Sequence, residues 1–398
     1  MKKYTLYILL FLLFNSCIEE ITFNDSTFDK LLVVKANLTD EFKTQEVELS
    51  RINALNSNEN AFETNAIVTI VENSQKTFTF YESTNGIYKS NLPFKAILGK
   101  QYSLHVKTKD GKTYISNSET IQGINNIDDI VAKAEIKPNG DEGINIFVKS
   151  KTDDLNAKYY RYTYKETYKI TAPQWSEYRL KIISDRPPYA VAKVPHFENK
   201  RICYSSNISN NIIQAETASL GANSLEKSIR FILKNDQVFA SRYSILVEQH
   251  VQSYEAYTYF NTLSKLSSSE NIFSQSQPGF IQGNIFPENS LDKKVVGFFE
   301  VTSVSRKRVF FNRIEVYPGQ AIKTPDYCQL IAPLLTERVD GNISSPLIDQ
   351  LKRGDSYLFF NDNPTPSGLY KGEYLLTPKK CGDCRELGSN IKPSFWID

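Results

Sequence analysis

Histidine is scarce in this sequence, which contains three among its 398 residues. His105, His196 and His250 are too widely spaced for a metal-binding motif, and the sequence holds no Gly-x-Ser-x-Gly and no phosphate-binding glycine loop. Neighbouring carboxylates such as Asp128 and Asp129 point to opposite faces of a strand, which does not suit an acid–base pair. These absences predict a protein that is not an enzyme and has no metal or cofactor. The alternative is a glycosidase whose carboxylates meet only in the folded chain.

The chain also lacks an excess of charge of either sign. It has 47 basic and 45 acidic residues, and its first 16 residues include Lys2 and Lys3 but no acid. Removal of that segment would leave equal numbers of basic and acidic residues. A formally neutral body gives no reason to expect nucleic acid as a partner, or a membrane contact based on positive charge.

No apolar run is long enough to cross a bilayer, which takes about 20 residues. The longest run, Tyr4 to Phe14, follows two lysines and precedes Cys17. This arrangement predicts a signal peptide over residues 1–16, a lipid attached to Cys17 and a lipidated linker over 17–29. The alternative is an ordinary secretory signal with an incidental cysteine. Several acyl chains on one cysteine would anchor the protein stably to a membrane.

The composition favours strands, with 23 Tyr and 24 Phe but one Met. Over residues 30–122, short alternating runs are separated by turn pairs such as Asn85-Gly86 and Asp110-Gly111. This spacing predicts an immunoglobulin-like β-sandwich. Residues 126–324 show further strands and predict a larger β-sandwich, and residues 325–398 predict an irregular C-terminal segment. The fold class is therefore all-β.

One helix is expected within the larger sandwich, at residues 253–266. Apolar residues recur there every three positions, beginning with Tyr254 and Tyr257, which is typical of a helix that packs on a sheet. These two tyrosines are candidates for a binding surface.

A second set of candidates is a tyrosine stripe. Tyr160, Tyr162 and Tyr164 lie on one face of a predicted strand, where they would either stack on sugar rings or form a core or interface. Trp175 is a further candidate, either as an exposed loop anchor or as a half-buried side chain.

Four cysteines follow the signal region: Cys203, Cys328, Cys381 and Cys384. An even number in an exported protein predicts two disulfides, which would staple the C-terminal tail to the body. Four cysteines allow three pairings, and the sequence does not choose among them. A zinc site or a redox-active Cys381-x-x-Cys384 pair are the alternatives.

The order of these motifs resembles domain of unknown function family 4249, lipoproteins of Bacteroidota that are often encoded beside TonB-dependent outer-membrane receptors. The segments that carry the resemblance are Leu32 to Asp40, Asn85 to Tyr88, Asp110 to Tyr114, Cys203-Tyr204, Arg242 to Val247, Gln277-Pro278, Gly283 to Ile285, Gly297 to Phe299, Cys381 to Arg385 and Lys392 to Trp396.

The resemblance implies a role at an outer-membrane β-barrel. We therefore expect a binding or scaffold subunit of a TonB-dependent receptor or of the barrel-assembly machinery. Glu19 and Glu20, directly after the anchor, resemble the signal that directs such lipoproteins to the cell exterior. The alternatives are a free-standing glycan- or peptide-binding surface lipoprotein and a surface hydrolase.

Overall fold

The computed structural model describes residues 31–52, 61–219, 224–268, 281–288, 295–320, 322–354 and 356–398. The predicted signal peptide, Cys17, Glu19 and Glu20 lie outside these residues. Within them the chain is all-β, as predicted, with several sheets and a few short helices.

The first eight strands form a sandwich with one shared strand. They are β1 (Leu31–Thr39), β2 (Glu46–Ile52), β3 (Ala61–Phe62), β4 (Ile67–Glu72), β5 (Lys76–Thr84), β6 (Ile87–Ser90), β7 (Tyr102–Lys107) and β8 (Thr113–Ser116). The first part of β5 pairs with β4 and its second part pairs with β6, so this strand passes from one sheet to the other. Alternate residues of both sheets, such as Val34, Leu49 and Leu104, are buried in a common core.

The next strands build a second sandwich and a separate hairpin. They are β9 (Asp129–Ile136), β10 (Glu142–Lys151), β11 (Tyr159–Thr171), β12 (Tyr178–Ser184), β13 (Ala190–Pro195), β14 (Ile202–Ile208), β15 (Ile213–Glu216), β16 (Ser224–Leu233) and β17 (Arg242–Gln252). A three-stranded sheet, β16-β10-β9, faces the sheet that contains β11 and β17. Their core contains Ile146, Tyr162, Ile245 and Val247, all fully buried.

Two more strands complete this part of the fold. β18 (Ile285–Pro287) pairs with β8 of the first sandwich, and β19 (Val295–Asn312) connects the two sandwiches. The first half of β19 runs parallel to β1, from Leu32 opposite Val295 to Thr39 opposite Thr302. Its second half runs antiparallel to β17. A single strand therefore belongs to both sandwiches and fixes one against the other.

The predicted helix is present as α1 (Tyr254–Ser268). The hydroxyl of Ser253 accepts a hydrogen bond from the backbone N–H of Ala256 at 3.2 Å and caps its first turn. Tyr259 and Phe260 pack on Phe298 of β19. Among the helices of the described residues, none combines the length and the apolar character that a membrane span needs.

The C-terminal segment is more regular than predicted. It follows α2 (Arg313–Val316) and contains β20 (Glu337–Val339), β21 (Asn342–Ser344), α3 (Pro346–Lys352), β22 (Tyr357–Asp362), β23 (Tyr374–Pro378) and α4 (Lys379–Gly382). Leu347, Phe359 and Leu376 form a small core there, against which Leu180 and Val191 of the β12–β13 hairpin pack. The regularity comes from this contact with a distant hairpin, which local patterns do not reveal.

Two disulfides are present, as predicted. Cys203 of β14 is bonded to Cys384 and staples the C-terminal segment to the body, whereas Cys328 is bonded to Cys381 within that segment. The Cys381-x-x-Cys384 pair is therefore not closed on itself, and all four cysteines are used structurally. Zinc binding by these cysteines and a redox-active pair are both excluded in this form of the chain.

Candidate functional site

An apolar groove opens at the end of the first sandwich where β1 ends. We call it the Phe42 groove and define it by Phe42, Phe78, Leu92, Phe94 and Ile97. These side chains line a cavity of about 500 Å³. Phe42 is 73% exposed and Leu92 is 76% exposed, yet both belong to one continuous surface. Single exposed apolar residues are ordinary, whereas a contiguous apolar patch marks an interaction site.

The floor of the groove is a stack of aromatic rings. Phe78 of β5 lies parallel to Phe94, with ring centroids 3.8 Å apart and an interplanar angle of 8°. Phe80 meets Phe94 edge-on, with ring centroids 6.3 Å apart. On the rim, the ammonium of Lys76 lies 4.8 Å from the centroid of Phe78. The groove therefore offers an apolar floor beneath a basic edge.

Gln45, which is 1% exposed, holds the two loops of the groove in place. Its side-chain amide donates to the backbone carbonyl of Phe94 at 2.8 Å and to that of Glu41 at 3.0 Å. The backbone groups of Lys43 and Phe94 also form a bridge between the same loops. Because these bonds fix the backbone on both sides of Phe42, its exposed side chain projects from a rigid frame.

A tyrosine supports the far wall. The hydroxyl of Tyr102 accepts from the backbone N–H of Ile97 at 3.0 Å and donates to the carboxylate of Glu72 at 3.0 Å. Burial raises the pKa of Tyr102 to about 12. The ring stays neutral at physiological pH, so its role here is to position the loop that carries Ile97.

The tyrosine stripe on β11 faces inward. Tyr160 and Tyr162 are fully buried in the core of the second sandwich, and Tyr164 packs against that core. The hypothesis that Tyr160 and Tyr162 bind ligand at a surface is therefore wrong. The stripe lies on the face of β11 that is covered by the opposing three-stranded sheet, so the alternative, a core face, is correct.

The candidates on the helix are closer to the surface. Tyr254 is 59% exposed, and both Tyr254 and Tyr257 pack against Tyr159, at centroid distances of 5.4 and 5.0 Å. Tyr257 and Asn261 also line a polar cleft of about 460 Å³ beside β15 and β16. Trp175 is half-buried next to the Cys203–Cys384 disulfide.

The histidines stay apart from one another. His250 lies between the sandwiches, where its Nδ1 is 3.2 Å from the hydroxyl of Thr302 and 3.3 Å from the amide of Asn37. Burial holds the pKa of His250 well below its usual range, so the ring is neutral and acts as a hydrogen-bonding group at the junction of the two sandwiches. In the part of the chain that the structure describes, no group of three or more His, Cys, Asp or Glu side chains could hold a metal ion.

Two carboxylates at the same junction differ in environment. Glu300 is buried and is held by Arg161 at 2.8 Å and by the amide of Gln252 at 2.6 Å. Glu119 accepts hydrogen bonds from Asn284, at 2.9 Å, and from Ser253, yet burial raises its pKa from the ordinary 4.5 to about 7, with further contributions from Glu255 and Glu300. Glu119 is thus the carboxylate in this region that titrates near neutral pH.

The Phe42 groove was not among the residues identified from the sequence. The signal that could have found it is the presence of large apolar residues in segments rich in turn residues. Phe42 follows Asp40-Glu41, and Leu92 stands between Asn91 and Pro93. An apolar side chain in such a loop has no strand face to bury it.

One comparison with known families gives a match. The model of the family described as Domain of unknown function (DUF4249) covers residues 18–308. No curated protein matches the chain. The matched residues include both sandwiches and end within β19, so Cys328, Cys381 and the last two hairpins lie beyond them.

Proposed function

This chain belongs to the family described as Domain of unknown function (DUF4249), and because that description assigns no activity, we propose its function from the geometry. The protein acts as a lipid-anchored, non-catalytic binding subunit that docks through the Phe42 groove on an outer-membrane β-barrel protein. The barrel is a TonB-dependent receptor or the barrel-assembly machinery. The observation that carries the proposal is the groove itself, a preformed apolar surface on a rigid frame.

The position of the groove favours a protein partner. The proposed anchor, Cys17, precedes β1, which begins at Leu31, whereas the groove loops follow Thr39 at the opposite end. A strand of nine residues at about 3.3 Å per residue spans about 30 Å. The groove is therefore held away from the point where the tether joins. A structure that rises from the membrane, such as the outer loops of a barrel, is suited to reach it.

The anchor would also lower the affinity that docking requires. Glu19 and Glu20 behind Cys17 favour the outer face of the membrane as the site of action. Confinement to a surface raises the effective concentration of the barrel around the groove, so a modest interface is sufficient. The shared strand β19 keeps the second sandwich in a fixed position relative to the docked partner.

The test is purification of the chain from native outer membranes in a mild detergent. We expect a β-barrel protein to co-purify in stoichiometric amount, and we expect Leu92→Ser and Phe42→Ser to reduce its recovery at least fivefold. Ile136→Ser and Phe197→Ser are matched controls, because these side chains are 70% and 94% exposed on other surfaces. Equal recovery with groove and control variants, or recovery of the chain alone, would contradict the proposal.

A second candidate function is supported by a separate observation. Tyr257 and Asn261 line the polar cleft beside α1, and aromatic rings next to amide groups suit the binding of a sugar ring. This supports a free-standing glycan-binding lipoprotein. Oligosaccharide binding that Tyr257→Ala abolishes, with no barrel recovered from membranes, would favour this function over the first.

A further inference from the structure

A second cavity lies in the C-terminal part of the molecule, away from the groove. It has a volume of about 330 Å³, at the small end of the range for ligand pockets. We call it the C-terminal cavity. Its apolar walls come from the β12 strand, the α3 helix and the β22 strand, and they consist of Leu180, Ile182, Leu351, Leu358 and Phe359. The cavity is not part of the first sandwich. Two of the elements that form it, α3 and β22, lie beyond the residues that the family model matches.

The charged side chains on this cavity are all basic. Arg179 and Lys200 line it, and among the described lining residues there is no Asp or Glu, while Asp355 lies outside the described residues. Lys200 forms an ion pair with Glu198 at 3.2 Å, but the carboxylate of Glu198 is 61% exposed. Within the described residues, Arg179 forms no ion pair. The cavity therefore carries an unbalanced positive charge beside an apolar wall.

A buried histidine nitrogen lies on the same wall. His196 lines the cavity, and its Nδ1 is buried without a hydrogen-bond partner among the described residues. Buried polar atoms in folded proteins nearly always have a hydrogen-bond partner, so an unpaired ring nitrogen on a cavity wall indicates a missing polar partner. Burial, with Lys200 nearby, lowers the pKa of His196, so the ring is neutral in the empty cavity.

We infer that the C-terminal cavity binds a small carboxylate with an apolar body. The carboxylate would lie between Arg179 and Lys200, beside the imidazole of His196, where two cations can meet its two oxygens. The apolar body would lie along Leu180 and Phe359. An uncharged molecule of the same shape gains only the apolar contact and leaves Arg179 without an ion pair, so the site discriminates by charge.

The probe for the test is 4-phenylbutyrate, and its uncharged twin is 4-phenylbutyramide. Titration calorimetry on the full chain should show saturable binding of the carboxylate and at least tenfold weaker binding of the amide. Arg179→Gln should weaken carboxylate binding at least tenfold. Lys181→Gln is the matched control, because it removes one positive charge from the same strand at a position that does not line the cavity. It should leave the affinity unchanged within twofold.

A second readout places the probe in the cavity. The ring of Trp175 meets that of His196 edge-on at a centroid distance of 6.1 Å. In a Trp396→Phe background Trp175 is the single remaining tryptophan, so its fluorescence should change as the carboxylate binds, with the same midpoint as the heat. No saturable binding, equal binding of carboxylate and amide, or an equal effect of Arg179→Gln and Lys181→Gln would each overturn the inference.

Discussion

Thr302 and Ser303 are consecutive residues of β19 but are paired in different sandwiches. Thr302 lies opposite Thr39 of β1 in the parallel register, and Ser303 lies opposite Val251 of β17 in the antiparallel register. The junction is reinforced by side chains, because the carboxylate of Asp40 accepts from the backbone N–H of Val304 at 2.9 Å. The two sandwiches thus share hydrogen bonds of one strand, which predicts that they unfold together.

Gly297→Ala should break the shared strand. Gly297 has a φ of +141°, and a Cβ at this position would overlap the backbone carbonyl of Val34 on β1. The strained backbone and the clash together should reduce the free energy of unfolding by more than about 3 kcal/mol. Urea unfolding followed by circular dichroism measures this loss.

Gly140→Ala is the matched control for that substitution. Gly140 also has a positive φ, +89°, but no atom lies within 4 Å of the added Cβ. This substitution should reduce the free energy of unfolding by about 1 kcal/mol, because the backbone is strained there but the added Cβ meets no other atom. Equal losses for the two variants would show that the close approach of β19 to β1 does not matter for stability.

Two buried tyrosine hydroxyls should respond in opposite directions to removal. The hydroxyl of Tyr317 has no hydrogen-bond partner among the described residues, whereas that of Tyr243 donates to the buried carboxylate of Glu166 at 2.8 Å. Tyr317→Phe should therefore be neutral or stabilise by about 1 kcal/mol, and Tyr243→Phe should destabilise by about 1–2 kcal/mol. Thermal unfolding of both variants decides this, and a destabilised Tyr317→Phe would mean that its hydroxyl is bonded.

Glu119 should make stability depend on pH. Because its pKa is raised from 4.5 to about 7 in the folded protein, the folded state binds the proton more tightly than the unfolded state does. Its contribution to the free energy of unfolding, on the order of 2 kcal/mol, is fully present below pH 4.5. This contribution is lost as the pH rises toward 7. Glu119→Gln keeps an oxygen that can accept from Asn284.

The variant should therefore match the parent at pH 4.5 and be more stable by that amount at pH 8. The measurement is the urea midpoint of both proteins at the two pH values. A constant difference between the proteins at both pH values would show that Glu119 does not titrate in this range.

The two disulfides should differ in how much they stabilise the folded protein. The Cys203–Cys384 bond closes a separation of 181 residues and the Cys328–Cys381 bond one of 53. Loop-closure entropy then makes the first bond more stabilising by about 1 kcal/mol, within a usual range of about 2–5 kcal/mol for each. The check is to replace each pair by alanine and compare the unfolding free energies. Non-reducing peptide mapping that finds Cys381 bonded to Cys384 would contradict the structure.

Local patterns in the sequence were sufficient to predict the fold class and the helix, because the apolar periods match the buried faces of the elements. The alternation at Tyr160 and Tyr162 matches one buried face of β11, and the apolar period from Tyr254 matches α1. Strand β19 carries polar residues near its middle, and these are tolerated because Arg306 is exposed there.

Other features depend on contacts that no local pattern contains. The parallel pairing of Leu32 with Val295 joins distant parts of the chain, and period and spacing do not specify such partners. The Phe42 groove combines two loops, and its apolar character emerges only when Gln45 fixes them together. The choice among three disulfide pairings likewise required the packing of the C-terminal hairpins.

The most direct test of the docking account is site-specific photocrosslinking in living cells. A benzophenone amino acid replaces Leu92 in the Phe42 groove, or Ile136 on the second sandwich as a control. Upon irradiation, we expect one crosslinked product from position 92 that contains an outer-membrane β-barrel protein, and no such product from position 136. The absence of a barrel crosslink from position 92 in membranes that contain the chain, or equal crosslinking from both positions, would contradict it.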